Sequence, residues 1–208
     1  MALATVMDRT QTELRPVTFE DYLALPDDGV RYELIFGELM MSPAPGMMHQ
    51  HVILELASEF LSFVRKHRAG RVFVAPFDVK LSKYSVVQPD VLVILRNNLA
   101  ILNDDRVEGA PDIVVEVLSP SSRRRDLVAK MALYAEHGVP EYWAVDSKTE
   151  TIEVLVLEGG RYLAYAAKDG IARSRVLPGF EVDPTALFPM QDLTESEKDA
   201  GADDDEPV

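Results

Sequence analysis

Two stretches constrain this chain more than any others: Val86 to Leu95 (VVQPDVLVIL) and Asp112 to Leu118 (DIVVEVL). Both are apolar almost throughout, which is the pattern of strands covered on both faces. Each is interrupted by a carboxylate inside the run, Asp90 in the first and Glu116 in the second. A covered sheet needs helices, and the chain supplies two. Ile53, Leu56, Ala57, Phe60, Leu61 and Val64 form one apolar stripe at helical spacing, with Gly70 as the expected stop. Arg124 to His137 reads as the second helix, leading through Gly138 into a strand over Glu141 to Val145. Val72 to Leu81 reads as one further strand.

Shorter elements flank this centre. Thr18 to Leu25 reads as a short helix, with Thr18 as N-cap and Asp21 at the reciprocal position. Arg31 to Ser42 (RYELIFGELMMS) folds as two strands about Phe36-Gly37. Thr151 to Leu157 and Tyr162 to Ala167 flank Glu158-Gly159-Gly160 as another hairpin. The expected fold is α/β, a central mixed sheet flanked by helices, with β-hairpins towards both ends.

At 208 residues and 47% hydrophobic content, the chain suits one domain, expected over residues 17–190. Residues 1–16 are expected to be flexible. They carry Asp8, Arg9, Glu13 and Arg15 and no continuous apolar core, so no secretory leader is expected. The net charge is −14, and residues 191–208 hold eight acids against Lys198 alone, half of the surplus. That segment reads as a disordered acidic tail. No apolar run approaches the ~18 residues of a membrane span, and the expected compartment is the cytoplasm. The absence of cysteine excludes disulfide scaffolds, cysteine-ligated zinc and thiol catalysis. No P-loop, dinucleotide fingerprint or Ser-His-Asp order is present.

Attention therefore falls on the carboxylates. An ionised acid inside a covered strand costs several kcal/mol, to order of magnitude, unless it is paired or binds a metal. Asp90 and Glu116 on neighbouring strands offer the oxygen ligands a hard cation prefers. The alternative is structural, as caps of loops or partners of arginines. On the second helix Lys130 falls on the flank of the buried face with Arg123 and Tyr134. From there it either reaches over the sheet or makes an ordinary i, i+4 pair with Asp126. Asp78-Val79-Lys80 reads as strand residues. His49 and His51 are two apart on a helix and point different ways, and His67 and His137 sit at helix ends, so the histidines form no evident metal set.

Longer strings add a resemblance. RYELIFGEL at 31–39, SPAPG at 42–46, VVQPDVLV at 86–93 and GAPDIVVEVLSPSS at 109–122 are similar to those of the Uma-type restriction endonucleases. So are RRRDLVAKMALYAEHGVPEYWAVD at 123–146 and VLPGFEVDPTALF at 176–188. This bacterial family falls within the PD-(D/E)XK nuclease superfamily, and the similarity spans about residues 16–188. It implies a restriction-endonuclease-like core and Mg²⁺-dependent (or Mn²⁺-dependent) hydrolysis of DNA phosphodiesters. The PD acid then falls on Asp90 and the second acid on Glu116, with the Val117 carbonyl as a further metal ligand. The superfamily's lysine lies two residues after the second acid, where this chain has Leu118, so the resemblance shifts that role to Lys130 on the following helix. Glu33 becomes the additional acid, and Phe36 stands where the family places a polar residue, usually Asp. Arg123, Arg124 and Arg125 are the expected phosphate contacts and DNA the expected partner, with a homodimer expected by analogy. The competing expectation is a degenerate nuclease fold serving as a nucleic-acid-binding or assembly module.

Overall fold

The computed structural model of this protein describes residues 15–42, 44–119, 125–165 and 169–188. The segments expected to be flexible, residues 1–16 and 191–208, lie outside these apart from Arg15 and Pro16. Helix α1 (Phe19–Leu23) starts where expected. The Asp21 N–H donates to the Thr18 hydroxyl and the Thr18 N–H to Asp21 Oδ2, a reciprocal capping box. Strands β1 (Arg31–Ile35) and β2 (Glu38–Ser42) form the expected hairpin. Its turn residues Phe36 and Gly37 have φ of 52° and 81°. Asp and Asn tolerate that left-handed conformation better than a bulky aromatic residue, so a polar residue is the less strained choice at position 36.

Helix α2 (Met47–His67) buries Ile53, Leu56, Phe60 and Val64 of the predicted stripe, together with Val52, while Ala57 and Leu61 are half-buried. It ends on Arg68 in the left-handed conformation, not on Gly70. Gly70 opens strand β3 (Gly70–Val74), where a Cβ would collide with the backbone of Ile94. Its missing side chain serves close strand approach instead of helix termination.

Each of two predicted strands divides. Residues 72–81 become the end of β3 and β4 (Val79–Ser82), while residues 86–95 become β5 (Ser85–Val87) and β6 (Val91–Leu95). Pro89 supplies the reason in the second case, having no N–H to give a ladder. A 3₁₀ turn (Arg96–Ile101) and β7 (Val107–Glu108) precede β8 (Ile113–Leu118). The second helix is π-wound over Arg125–Lys130 and becomes α3 over Met131–Glu136. Strands β9 (Glu141–Asp146), β10 (Thr151–Glu158) and β11 (Arg161–Ala164) follow, then a short pair, β12 (Ala172–Arg173) and β13 (Glu181–Val182), and a closing 3₁₀ turn (Pro184–Leu187).

The strands assemble as two larger mixed sheets, ordered β2-β1-β5-β4-β7 and β11-β10-β9-β8-β6-β3, plus the β12–β13 pair. The chain passes between the larger sheets at Gln88-Pro89-Asp90. In the six-stranded sheet β8 and β9 run parallel at the centre, every residue of both is buried, and the other neighbours are antiparallel. Period-two alternation sends Ile113, Val115 and Val117 into the core shared with α2. Val114 and Leu118 enter the core shared with Leu133 and Tyr134 of α3. Glu116 shares that second face by the same alternation.

On the α2 side Glu141, wholly buried, accepts from Trp143 Nε1 and Ser174 Oγ at 2.7 Å each, and from the N–H groups of Arg175 (2.7 Å) and Val176 (3.0 Å). Four neutral donors satisfy one carboxylate and fasten the C-terminal segment to β9. In Glu141→Gln the amide NH₂ faces donors, so urea denaturation should show a loss of roughly 2–4 kcal/mol. A midpoint equal to that of the parent would contradict the anchor.

Candidate active site

The crossing between the sheets is where the acids meet. On β1, Glu33 is 1% exposed and accepts from the Gln88 N–H at Oε1 (2.9 Å) and from Ser42 Oγ at Oε2 (3.0 Å). Gln88 in turn donates through Nε2 to Asp78 Oδ1, which also accepts from the Tyr22 hydroxyl. Asp78 thus braces the residue that braces Glu33. Lys80 turns away, towards Glu108 and over the Phe19 ring, so the Asp78-Val79-Lys80 string supplies no acid–lysine pair to the site.

Asp90 stands one residue before β6. The β6–β8 ladder ends at the Val91–Val115 pair, and beyond it the Val117 N–H donates to Asp90 Oδ2 at 2.7 Å. The carboxylate substitutes for the ladder acceptor that the turn at Pro89 removes. In a strand the N–H and C=O of one residue share an edge, so the Val117 carbonyl faces the same opening.

Glu116 is 2% exposed and lies against Lys130, whose Nζ is 2.9 and 3.0 Å from its two oxygens. The same Nζ is 2.8 Å from Glu33 Oε1 and 3.9 Å from Asp126 Oδ1. Of the two options open in the sequence, Lys130 takes the one over the sheet and is itself only 2% exposed. The wider winding of the π-turn brings residues four apart closer to one line than an α-helix does, which aims Asp126 and Lys130 together. Tyr134, one turn on, donates its hydroxyl to Glu116 Oε1 at 2.7 Å.

Burial opposes the charge of Lys130, but Glu116, Glu33, Asp126 and Asp90 outweigh it and hold its pKa above 10.5. It remains an ammonium. Burial, reinforced by Asp126, Asp90 and Glu33, outweighs Lys130 at Glu116 and pushes that carboxyl well above 4.5. Both shifts have one source: among the described residues Glu116 has more buried acids than cations around it. Burial, then Glu116 and Glu33, raise the Tyr134 phenol, which stays a hydrogen-bond donor.

Glu33, Asp90, Glu116, Asp126 and Lys130 line a cleft of about 410 Å³, joined by Arg31, Ser42, Met47, His49, Ser119 and Ser147 among others. His49 and Arg31 were not evident from the sequence. His49 Nε2 lies 3.2 Å from Asp90 Oδ2. Its signal was the apolar stripe of α2, because His49 sits one turn before Ile53 on the same face. Arg31 precedes Glu33 by two, so it shares that face of β1, and it has no ion-pair partner among the described residues. His67 stacks on Phe63 and His137 Nδ1 lies 2.9 Å from the Leu133 carbonyl, consistent with structural roles. Arg123 and Arg124 lie outside the described residues, as does the side chain of Arg125.

Among the described residues no three acid or histidine side chains stand at metal-holding spacing. Lys130 Nζ lies between Glu33 and Glu116 and holds the two acids apart from a shared site. The donor chemistry nevertheless suits a hard cation. Mg²⁺ needs only one or two carboxylates and keeps several waters, and Asp90 Oδ1 accepts no hydrogen bond among the described residues.

A mixed sheet with an acid at a strand break, a second acid on the neighbouring central strand and a lysine from the next helix defines a nuclease-fold α/β protein. The chain belongs to the Uma2 family, described as "putative restriction endonuclease", whose profile matches residues 19–187. It is similar in structure to a "putative nuclease belonging to DUF820" from Anabaena variabilis ATCC 29413, with a TM-score of 0.70 and 21% identity over 83% of this chain and 98% of that one. At that identity the likeness speaks for the fold. No curated protein matches the chain in sequence.

Proposed function

We propose that this chain is a metal-dependent endonuclease that hydrolyses DNA phosphodiesters in the cleft between its sheets. One observation carries the proposal. Glu33, Asp90, Glu116 and Lys130 come from two strands, the crossing between the sheets and the π-turn, and converge, nearly buried, beside one opening. So many buried charges are costly to maintain unless the site uses them.

Asp90 and Glu116, with the Val117 carbonyl, would hold Mg²⁺, or Mn²⁺ in its place. Such an ion supplies an acidified water and offsets charge on the reacting phosphoryl group. Lys130 keeps its positive charge at this spot and is suited to steady a phosphate oxygen or to orient the attacking water. Glu33 holds Lys130 in place from the opposite side. Tyr134 stays protonated and orients Glu116. Arg123, Arg124 and Arg125 remain proposed contacts to backbone phosphates.

Arg31 is proposed as a phosphate contact one pleat beyond Glu33. Arg31→Ala should weaken DNA binding in the absence of cleavage and flatten its dependence on log salt by about one unit. An unchanged salt slope would remove Arg31 from the interface.

A second reading has an observation of its own. Lys130 already occupies the space between Glu33 and Glu116, as it would in a degenerate site that binds nucleic acid without cutting it. The test is incubation of supercoiled, linear and single-stranded DNA with Mg²⁺ or Mn²⁺, alongside calorimetry with Mn²⁺. Cutting that EDTA abolishes supports the nuclease. No cutting together with no Mn²⁺ bound would leave the binding module as the function.

A further inference from the structure

We infer that His49 is a positioning residue for Asp90, donating from Nε2 to Asp90 Oδ2 and so deciding which carboxylate oxygen faces a ligand. The inference rests on the reading of Asp90 as a metal-holding acid. Two groups converge on the one oxygen: the Val117 N–H donates to it at 2.7 Å from β8, and His49 Nε2 lies 3.2 Å from it on α2. Among the described residues Oδ1 accepts none. A carboxylate gripped at Oδ2 from two elements cannot swing about its bond, and Oδ1 is left for the cation.

The geometry of α2 makes His49 rigid enough for this task. The helix is keyed to the sheets by Val52, Leu56, Phe60 and Val64, all at most 2% exposed. His49 lies three residues before Val52 and four before Ile53, on the same helical face. The core that seats α2 therefore also sets the imidazole against Asp90.

The other ring nitrogen, His49 Nδ1, is buried and makes no competing contact among the described residues. Among the described residues the single polar contact of the ring is Asp90, which as a carboxylate only accepts, so Nε2 is the nitrogen placed to donate. Outer partners that orient a metal ligand in this way are commonly worth 10–100-fold in metal affinity.

The test compares His49→Gln, which keeps an N–H donor, with His49→Phe, which keeps the bulk without one. Mn²⁺ affinity is read by calorimetry on the full chain, without DNA. Asp90→Ala tests the site reading, and His51→Ala in the same helical turn tests for a general helix effect. His49→Phe should bind Mn²⁺ about 10–100-fold more weakly, while His49→Gln should stay within about threefold of the parent. Equal affinity in the Gln and Phe variants, whether both weak or both normal, overturns the inference. A loss in His51→Ala as large as that in His49→Phe also overturns it. If Asp90→Ala binds Mn²⁺ normally, the metal reading of the site has failed. If only Asp90→Ala loses the metal, that reading stands and His49 alone is discarded.

Discussion

Asp90→Asn and Glu116→Gln should each reduce metal-dependent DNA cleavage by about 10³-fold or more, with little change in fold. Each substitution keeps shape and removes one negative charge. Asparagine still offers an oxygen to the Val117 N–H, so the strand break at Pro89 stays braced. Glutamine at 116 still accepts from Tyr134 through its carbonyl oxygen. What both lose is the anionic oxygen that holds a hard cation against the competition of water. Burial and neighbouring acids raise the Glu116 pKa, so removing its charge relieves a cost that offsets the loss of one of its two contacts to Lys130, and the stability of the amide variant in EDTA should change little. A large activity loss with unchanged stability is the signature of a group kept for chemistry. Activity that survives both substitutions would mean that the reacting phosphate sits elsewhere.

Lys130→Met should have the largest effect on stability, a loss of about 3–5 kcal/mol. The ammonium neutralises Glu33 and Glu116 at 2.8 and 2.9 Å in a site from which water is largely excluded. Methionine fills the space but leaves Glu116 without the one cation that lowers its pKa. The penalty therefore depends on pH. Glu116 already has a folded-state pKa above its usual 4.5, and losing Lys130 raises it further. The folded state then binds protons that the unfolded state releases, so stability rises as pH falls through the folded value towards 4.5. Urea denaturation in EDTA should show a wide gap between parent and variant at pH 8 and a narrower one at pH 5. In the double variant Glu116→Gln/Lys130→Met the loss should be smaller than in Lys130→Met alone. A gap independent of pH would point to lost packing instead of lost charge.

Much of this arrangement was legible in the residues. Asp90 and Glu116 stood out because each breaks a run too apolar to be exposed, and both prove to be buried. The α2 stripe, the capping box at Thr18 and the hairpin at Phe36-Gly37 are encoded locally, by side chains no more than a few turns apart, and they form as expected. Lys130 was legible only as a flank position. Its burial depends on the π-winding of Arg125–Lys130 and on two acids remote in sequence.

Other features depended on contacts that local pattern does not carry. The run from Val86 to Leu95 reads as one strand because periodicity cannot register that its halves pair with different partners, β5 with β1 and β4, β6 with β3 and β8. Gly70 looks like a helix stop until Ile94 is brought against it. His49 was set aside because two histidines two apart cannot share one ligand, and its partner Asp90 lies 41 positions away in the chain. The chain's own pattern settled which elements form, which residues seek the interior and which acids are out of place there. Only the packing of α2 and the π-helix over the divided strands settled which of those charges meet. Helix and strand preference and the pull of apolar residues to the interior are written in local pattern, whereas the pairing of buried charges exists only once the sheets have closed around them.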